Sequence, residues 1–284
     1  ERIKGGGGVR EVPGRPQEAG GTDTVGENDD PGTGYEAKIL LAISGVPEAA
    51  PARMLTRTPI PVVPFFGTKV VRDVPLRDVY RYINETALIR GQWQVKRGKL
   101  SPEEYHRLLE EKIYPELKHL QDEAERENLL RPDVVYGYYP CRSDGNDLII
   151  FVPEGQADPS APWDPRYRVP LREILRFTFP RQKKDRRLSI ADFFIPGAAG
   201  EYDVLGVQLV TVGAKASEHA KTLFDSSRYR EYLYFHGLSV ETAEGLAEYW
   251  HKIVRGEMGI GAGDAPDNKK LFGQKYRGSS YSFG

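Results

Sequence analysis

The sequence predicts an α+β fold, on three observations. Between Val134 and Val152, two runs rich in β-branched and aromatic residues flank the polar Ser143-Asp144-Gly145-Asn146, which is hairpin chemistry. Further strand signals follow at residues 171–179, 191–195 and 204–212. Apolar residues recur at helical spacing before the hairpin and again after the last of these strands. At 284 residues the chain is long enough to bury a substantial core.

The composition excludes several classes. Lys and Arg number 40 against 41 Asp and Glu, so no net field draws nucleic acid or an anionic membrane surface. The single cysteine, Cys141, rules out an intrachain disulfide and fits a reducing compartment. Without a signal-peptide layout or an apolar run near the roughly 20 residues of a membrane span, a soluble, cytoplasmic protein is expected. Glu1 in place of Met fits a segment of a longer chain.

Residues 1–60 read as a flexible linker or N-terminal arm, with Gly5 to Gly8 and too few large apolar residues to offset the entropy of ordering. Within it Lys38 to Val46 is a short apolar run compatible with a strand or a docking segment. A Pro-rich piece from Pro47 to Pro64 follows, and the boundary is placed near Thr58. Residues 61–284 form the folded domain.

From Leu76, the stripe Leu76, Val79, Tyr80, Ile83 and Ala87 predicts a helix, with Asn84 and Glu85 beside it. A second helix opens at Ser101, where Ser-Pro-Glu-Glu supplies an N-cap, a proline at the first position and a capping-box glutamate. It runs to about Asn128, with a kink or break expected at Pro115. The hairpin loop is longer and more charged than a two-residue turn needs, so Arg142, Asp144 and Asp147 make either a solvated loop or a functional tip.

Leu175, Phe177 and Phe179 alternate with Arg176 and Thr178 as in a half-buried strand. The basic run Arg181 to Arg187 lacks interleaved aromatics and reads as a solvated connection. Ala191 to Ile195 and Val204 to Val212 read as one short and one long strand. A helix is expected from about Ala214 through Leu233, stopped by Gly237. Ser239 is expected to cap the last helix, whose apolar face is Val240, Ala243, Ala247, Trp250 and Val254. Glu244 falls on the margin of that face, roughly 40° from Val240, while Glu241 and Glu248 point further into solvent. Such a carboxylate is either a solvated edge residue or an acceptor for a bound cation or amine.

The five histidines show neither HExxH nor zinc-site spacing, so no metal is expected within the chain. Gly259 to Gly263 follows a helix, and Asp264 stands where a dinucleotide loop needs its last glycine. No nucleophile elbow, Walker loop or paired-carboxylate motif is present, and no catalytic residue is assigned.

Several collinear blocks carry a resemblance. They are Pro64-Phe65-Phe66-Gly67-Thr68, Tyr82-Ile83-Asn84-Glu85 with Arg90-Gly91-Gln92-Trp93, and Tyr136-Gly137-Tyr138-Tyr139-Pro140-Cys141. Further on stand Arg176 to Gln182, Ala191 to Phe194, Glu231 to Leu238 and Glu244 to His251. In order and spacing, the chain from about Pro64 to Gly284 resembles the reactivation domain of cobalamin-dependent methionine synthases.

The resemblance implies helices flanking a twisted, mostly antiparallel sheet, with S-adenosylmethionine in a shallow groove. It implies reductive methylation of cob(II)alamin, with cobalamin held by a neighbouring domain, flavodoxin or an equivalent reductase as electron donor, and zinc only in a separate homocysteine domain. The supported reaction passes a methyl group from methyltetrahydrofolate to homocysteine. Position by position, the ligand contacts fall on Asn84, where the family has an acid, its neighbour Glu85, and Glu244. They continue on Ser280, where the family has an arginine, Tyr281 and Ser282. The family continues past Gly284 with further ligand-binding residues, so the domain reads as C-terminally incomplete. A ligand-binding or regulatory module that has lost affinity, and a separate corrinoid-protein reactivase, are the alternative readings. The hairpin tip is expected to face the cobalamin domain or the ligand groove.

Overall fold

In the computed structural model, residues 59–164, 169–184 and 187–264 are described, and all lie in the unit Ala49–Gly284. Five strands among them form one sheet: β1 (Gly67–Val71), β2 (Asp133–Asp144), β3 (Asp147–Pro153), β4 (Leu171–Thr178) and β5 (Asp203–Thr211). The helices are α1 (Leu76–Tyr80), α2 (Pro102–Leu108), α3 (Tyr114–Arg126), α4 (Ala214–Asp225) and α5 (Tyr229–Glu257). Every strand pair is antiparallel, as the fold class predicts.

The twelve-residue β2 organises the sheet, pairing with β1 and β3 and, from Asp133 to Cys141, with β5. Its period-2 alternation separates two faces. Val134, Tyr136 and Tyr138 are buried and join Phe65, Leu246, Trp250 and Val254 in one core cluster. Val135 faces the other way, with Val70 and Leu209 directly opposite it on β1 and β5, and this row is exposed. A second cluster lies among the helices, where Leu117, Leu120 and Ala124 of α3 meet Leu223 of α4, Phe235 and Leu238 of α5, and Leu88, Ile89 and Trp93.

The hairpin ladder continues to Asp144 opposite Asp147, so the loop is a two-residue turn, with Gly145 at φ 60°. Asp144 and Asp147 both pair with Arg176 of β4, and the Arg142 guanidinium lies 4.8 Å from the centre of the Phe151 ring. The expected long tip is therefore a regular reversal whose acids belong to the sheet.

Other expectations are corrected. The first predicted helix breaks after Tyr80: Tyr82 and Ile83 are buried and the chain resumes as a π-helical segment, Ala87–Gln92. Ser101 forms the predicted capping box with Glu104, and the break foreseen at Pro115 takes the form of a π segment, Leu109–Ile113, joining α2 to α3. Ala191 to Ile195 is no strand; Ser189 and Asp192 cap a 3-10 turn over Ile190–Phe193. Arg181 is not solvated. It is buried, and its guanidinium donates bidentately to Asp192 at 2.7 Å on both arms and to the Arg187 carbonyl.

The largest correction concerns the C-terminal helices. α4 ends at Asp225, and α5 runs through Gly237 for 29 residues without a stop. Gly237 is there for contact: a Cβ would stand 2.8 Å from Gln92 Cβ and 3.0 Å from Trp93 Cδ1. Ser239 is not an N-cap. Its hydroxyl donates to the Phe235 carbonyl, as Thr242 donates to Leu238, so both small polar residues sit in the buried face at little cost. That face is Phe235, Leu238, Thr242, Gly245, Leu246, Trp250 and Val254, rotated from the expected one.

Candidate functional site

The rotation changes the setting of the three glutamates on α5. Glu241, Glu244 and Glu248, spaced i, i+3, i+7, share one ridge of the helix. Glu244 is exposed, Glu248 half-buried, and Glu241 only 6% exposed, against the expectation that Glu241 and Glu248 point into solvent. Burial pushes the Glu241 carboxyl above the usual glutamate range; a hydrogen bond from Gln92 Nε2 at 3.5 Å opposes this and the Glu244 charge adds to it. Burial and then Glu244 raise Glu248 in the same direction. Carboxylates held in this way gain from any cation brought among them.

Gly245 brings the chain after α1 against this ridge, since a Cβ there would lie 3.2 Å from the Tyr82 carbonyl. Asn84 follows two residues later. Its Oδ1 accepts from the Ala87 N–H at 3.2 Å and its carbonyl from Leu88, so it caps the π segment. Glu85 is exposed, and its charge is felt by Tyr114, whose hydroxyl is raised first by burial and then by Glu85 and Glu110. The structure thus brings the two residues before Asn84 against the helix that carries Glu244, while the charge of Glu85 reaches Tyr114 of α3. Ser280, Tyr281 and Ser282 lie outside the described residues.

Between α1 and α5 an open cavity of about 360 Å³ is lined by Asp78, Arg81, Tyr82, Tyr249 and Lys252. The rings of Tyr82 and Tyr249 lie 5.1 Å apart, and Lys252 Nζ is 5.7 Å from the Tyr82 ring centre. Sequence reasoning missed this cavity and the two further glutamates. The i, i+3, i+7 spacing was readable, but its relation to the core depended on which face of α5 is buried.

Residues 75–284 match the family model described as vitamin B12 dependent methionine synthase, activation domain. The chain belongs to this family. The methionine synthase of Mycobacterium tuberculosis (strain ATCC 25618 / H37Rv) is 36% identical over 238 residues, covering 79% of this chain and 19% of that protein. That of Mycobacterium leprae (strain TN) is 34% identical over 238 residues, with the same coverage. The activation domain thus spans about one fifth of the length of the curated relatives it matches. It shares its fold with the MetH reactivation domain, whose crystal structure bound to AdoHcy matches at a TM-score of 0.62 and 23% identity, over 78% of this chain and 66% of that one. Among the described residues of this activation domain, no helix is long and apolar enough to cross a membrane.

Proposed function

We propose that this activation domain binds S-adenosylmethionine along the acidic ridge of α5 and serves the reductive methylation of cob(II)alamin. The domain comprises residues 61–284, and residues 1–60 are a connecting arm. The observation that carries the reading is the ridge itself: Glu244 is exposed and flanked by two carboxyls that burial leaves short of positive charge. A sulfonium cation is already activated for methyl transfer, so the protein needs to hold and align it rather than supply an acid or base. Asn84, whose amide nitrogen can donate to a ligand oxygen, and Glu85, Ser280, Tyr281 and Ser282 complete the proposed set.

The partners in this reading are a cobalamin-binding domain of the same enzyme and flavodoxin or an equivalent reductase, in the cytoplasm, with no nucleic acid and no membrane. Cobalamin supplies the methyl acceptor, and zinc belongs to a separate homocysteine domain. The turn at Gly145-Asn146, with Arg142 behind it, is the proposed contact to the cobalamin domain or the groove. Arg142→Glu is expected to slow reactivation in the full enzyme and leave ligand affinity unchanged; an unchanged rate removes this contact.

Calorimetric titration of S-adenosylmethionine into the chain tests the site. Glu244→Ala is expected to weaken binding by roughly tenfold, about 1.4 kcal/mol, the scale of one charge-assisted contact. Equal affinity of the variant and the parent would overturn the assignment. Binding is also expected to follow pH. A cation favours the ionised carboxyls, so affinity falls as pH drops through the raised range of Glu241 and Glu248, beginning above ordinary glutamate values. Titrations across that range in several buffers report the protons released. One observation favours a second reading, a module with weakened affinity: Asn84 spends its Oδ1 on a backbone cap, where the resemblance expects an acid.

A further inference from the structure

The sheet does not keep the alternation that a solvated face requires. On β2, Val134, Tyr136 and Tyr138 are buried against α5, so the residues turned the other way should be polar. They are instead largely apolar: Val70 on β1, Val135 and Tyr139 on β2, and Leu205, Val207 and Leu209 on β5. Val70 is 54% exposed, Val135 36%, Val207 38% and Leu209 66%. Val70, Val135 and Leu209 stand directly opposite one another across the three strands. A polar rim closes one end, where Asp133 faces Thr211 and pairs with Arg72.

The edge beside this face is equally unguarded. β5 pairs with β2 in an unbroken register and, among the described residues, with no other strand. Edge strands are usually protected by charges, proline or a bulge. β5, DVLGVQLVT, carries one charge, Asp203 at its start, and neither of the other devices.

We propose that another domain of the same polypeptide covers this face, meeting Val70, Val135, Val207 and Leu209 with an apolar surface of its own and shielding the β5 edge. The inference rests on the family to which the chain belongs and is independent of the ligand reading. In the mycobacterial relatives the matched stretch is 19% of the protein, so most of each polypeptide lies outside it. Size decides between that occupant and a second copy of this chain. Three strands about 4.8 Å apart, carrying two outward rows about 7 Å apart, make a face of roughly 200 Å². Two freely diffusing copies need about 800 Å² each to stay together. A tethered domain is presented at an effective concentration on the order of millimolar, and a much smaller contact holds it.

Thiol labelling reads the contact directly. The single native cysteine, Cys141, is buried, so Leu209→Cys adds an exposed thiol to a silent background. Its alkylation by N-ethylmaleimide, followed by peptide mass spectrometry, is compared between the chain alone and the full-length protein carrying the same substitution. Labelling at least about tenfold slower in the full-length protein is expected, since alkylation follows exposure of the thiolate. Val70→Cys gives the same readout from β1 and is expected to slow in step, so the test does not depend on one variant. Lys221→Cys, on the exposed side of α4, is the control and should label at equal rates in both proteins. Equal rates at Leu209→Cys and Val70→Cys, or slowing of the same size at the control, overturn the inference. So does labelling of the chain alone that slows as its concentration rises, which would make a second copy the occupant.

Discussion

Replacing Arg181 with alanine is expected to cost about 3–5 kcal/mol of folding stability, the penalty for leaving one partner of a buried ion pair alone. Arg181 and Asp192 expose 3% and 5% of their side chains, and the two 2.7 Å bonds between them close the loop after β4 onto the 3-10 turn. Burial alone would raise the Asp192 carboxyl; the Arg181 hydrogen bonds and the Ser189 N–H outweigh it and hold the group below its ordinary range. A carboxyl lowered on folding adds stability above its unfolded value, and that stability is lost as pH falls through the folded value. The parent's acid-unfolding midpoint should therefore lie lower than that of Arg181→Ala, and the variant should lose this part of its pH dependence. Urea unfolding at a series of pH values measures both effects. An equal loss at every pH would show that packing rather than the ion pair carries the cost.

Gly137→Ala is the second large effect, expected at on the order of 3 kcal/mol. β1 and β2 approach so closely at Gly137 that a Cβ there would collide with the Gly67 carbonyl oxygen and stand 3.0 Å from Thr68 Cα. Those neighbours are backbone, which cannot rotate aside as a side chain can. The strands must separate, and the Phe65, Tyr136 and Tyr138 rings packed behind them separate too. Gly256→Ala is the control. It lies in the last turn of α5 with nothing within 4 Å of a new Cβ, so it should stabilise by about 0.5–1 kcal/mol through helix propensity. Chemical denaturation of both variants against the parent checks the contrast.

The elements whose signals are local were legible in advance. The hairpin, the Ser101 capping box and the strand from Asp203 to Thr211 rest on residues a few positions apart, and each forms as expected. The errors arise where distant contacts decide. Gly237 looked like a helix stop because a glycine costs an isolated helix; here it admits Gln92 and Trp93, which are more than a hundred residues away in sequence. Ser239 looked like a cap, yet it bonds to its own helix and joins the core. Losing that boundary rotated the apolar face and placed Glu241 and Glu248 in solvent. Arg181 was grouped with a basic run because nothing local marks Asp192 as its partner. Glu244 was singled out through the resemblance, and the structure adds its exposure on α5, whereas the capping role of Asn84 and the Tyr82–Tyr249 cavity needed the break after Tyr80.

The unbroken course of α5 also sets a phase. A single rod of 29 residues, roughly 43 Å long, carries Phe235 and Leu238 into the helical cluster and Leu246, Trp250 and Val254 into the cluster under the sheet. The two clusters are keyed to one shaft. Each residue inserted or deleted between Leu238 and Leu246 turns one half against the other by about 100°, so only changes near whole turns keep both faces engaged. The ridge of Glu241 and Glu244 lies within that keyed stretch, which fixes the bearing of its carboxylates to the packing at both ends.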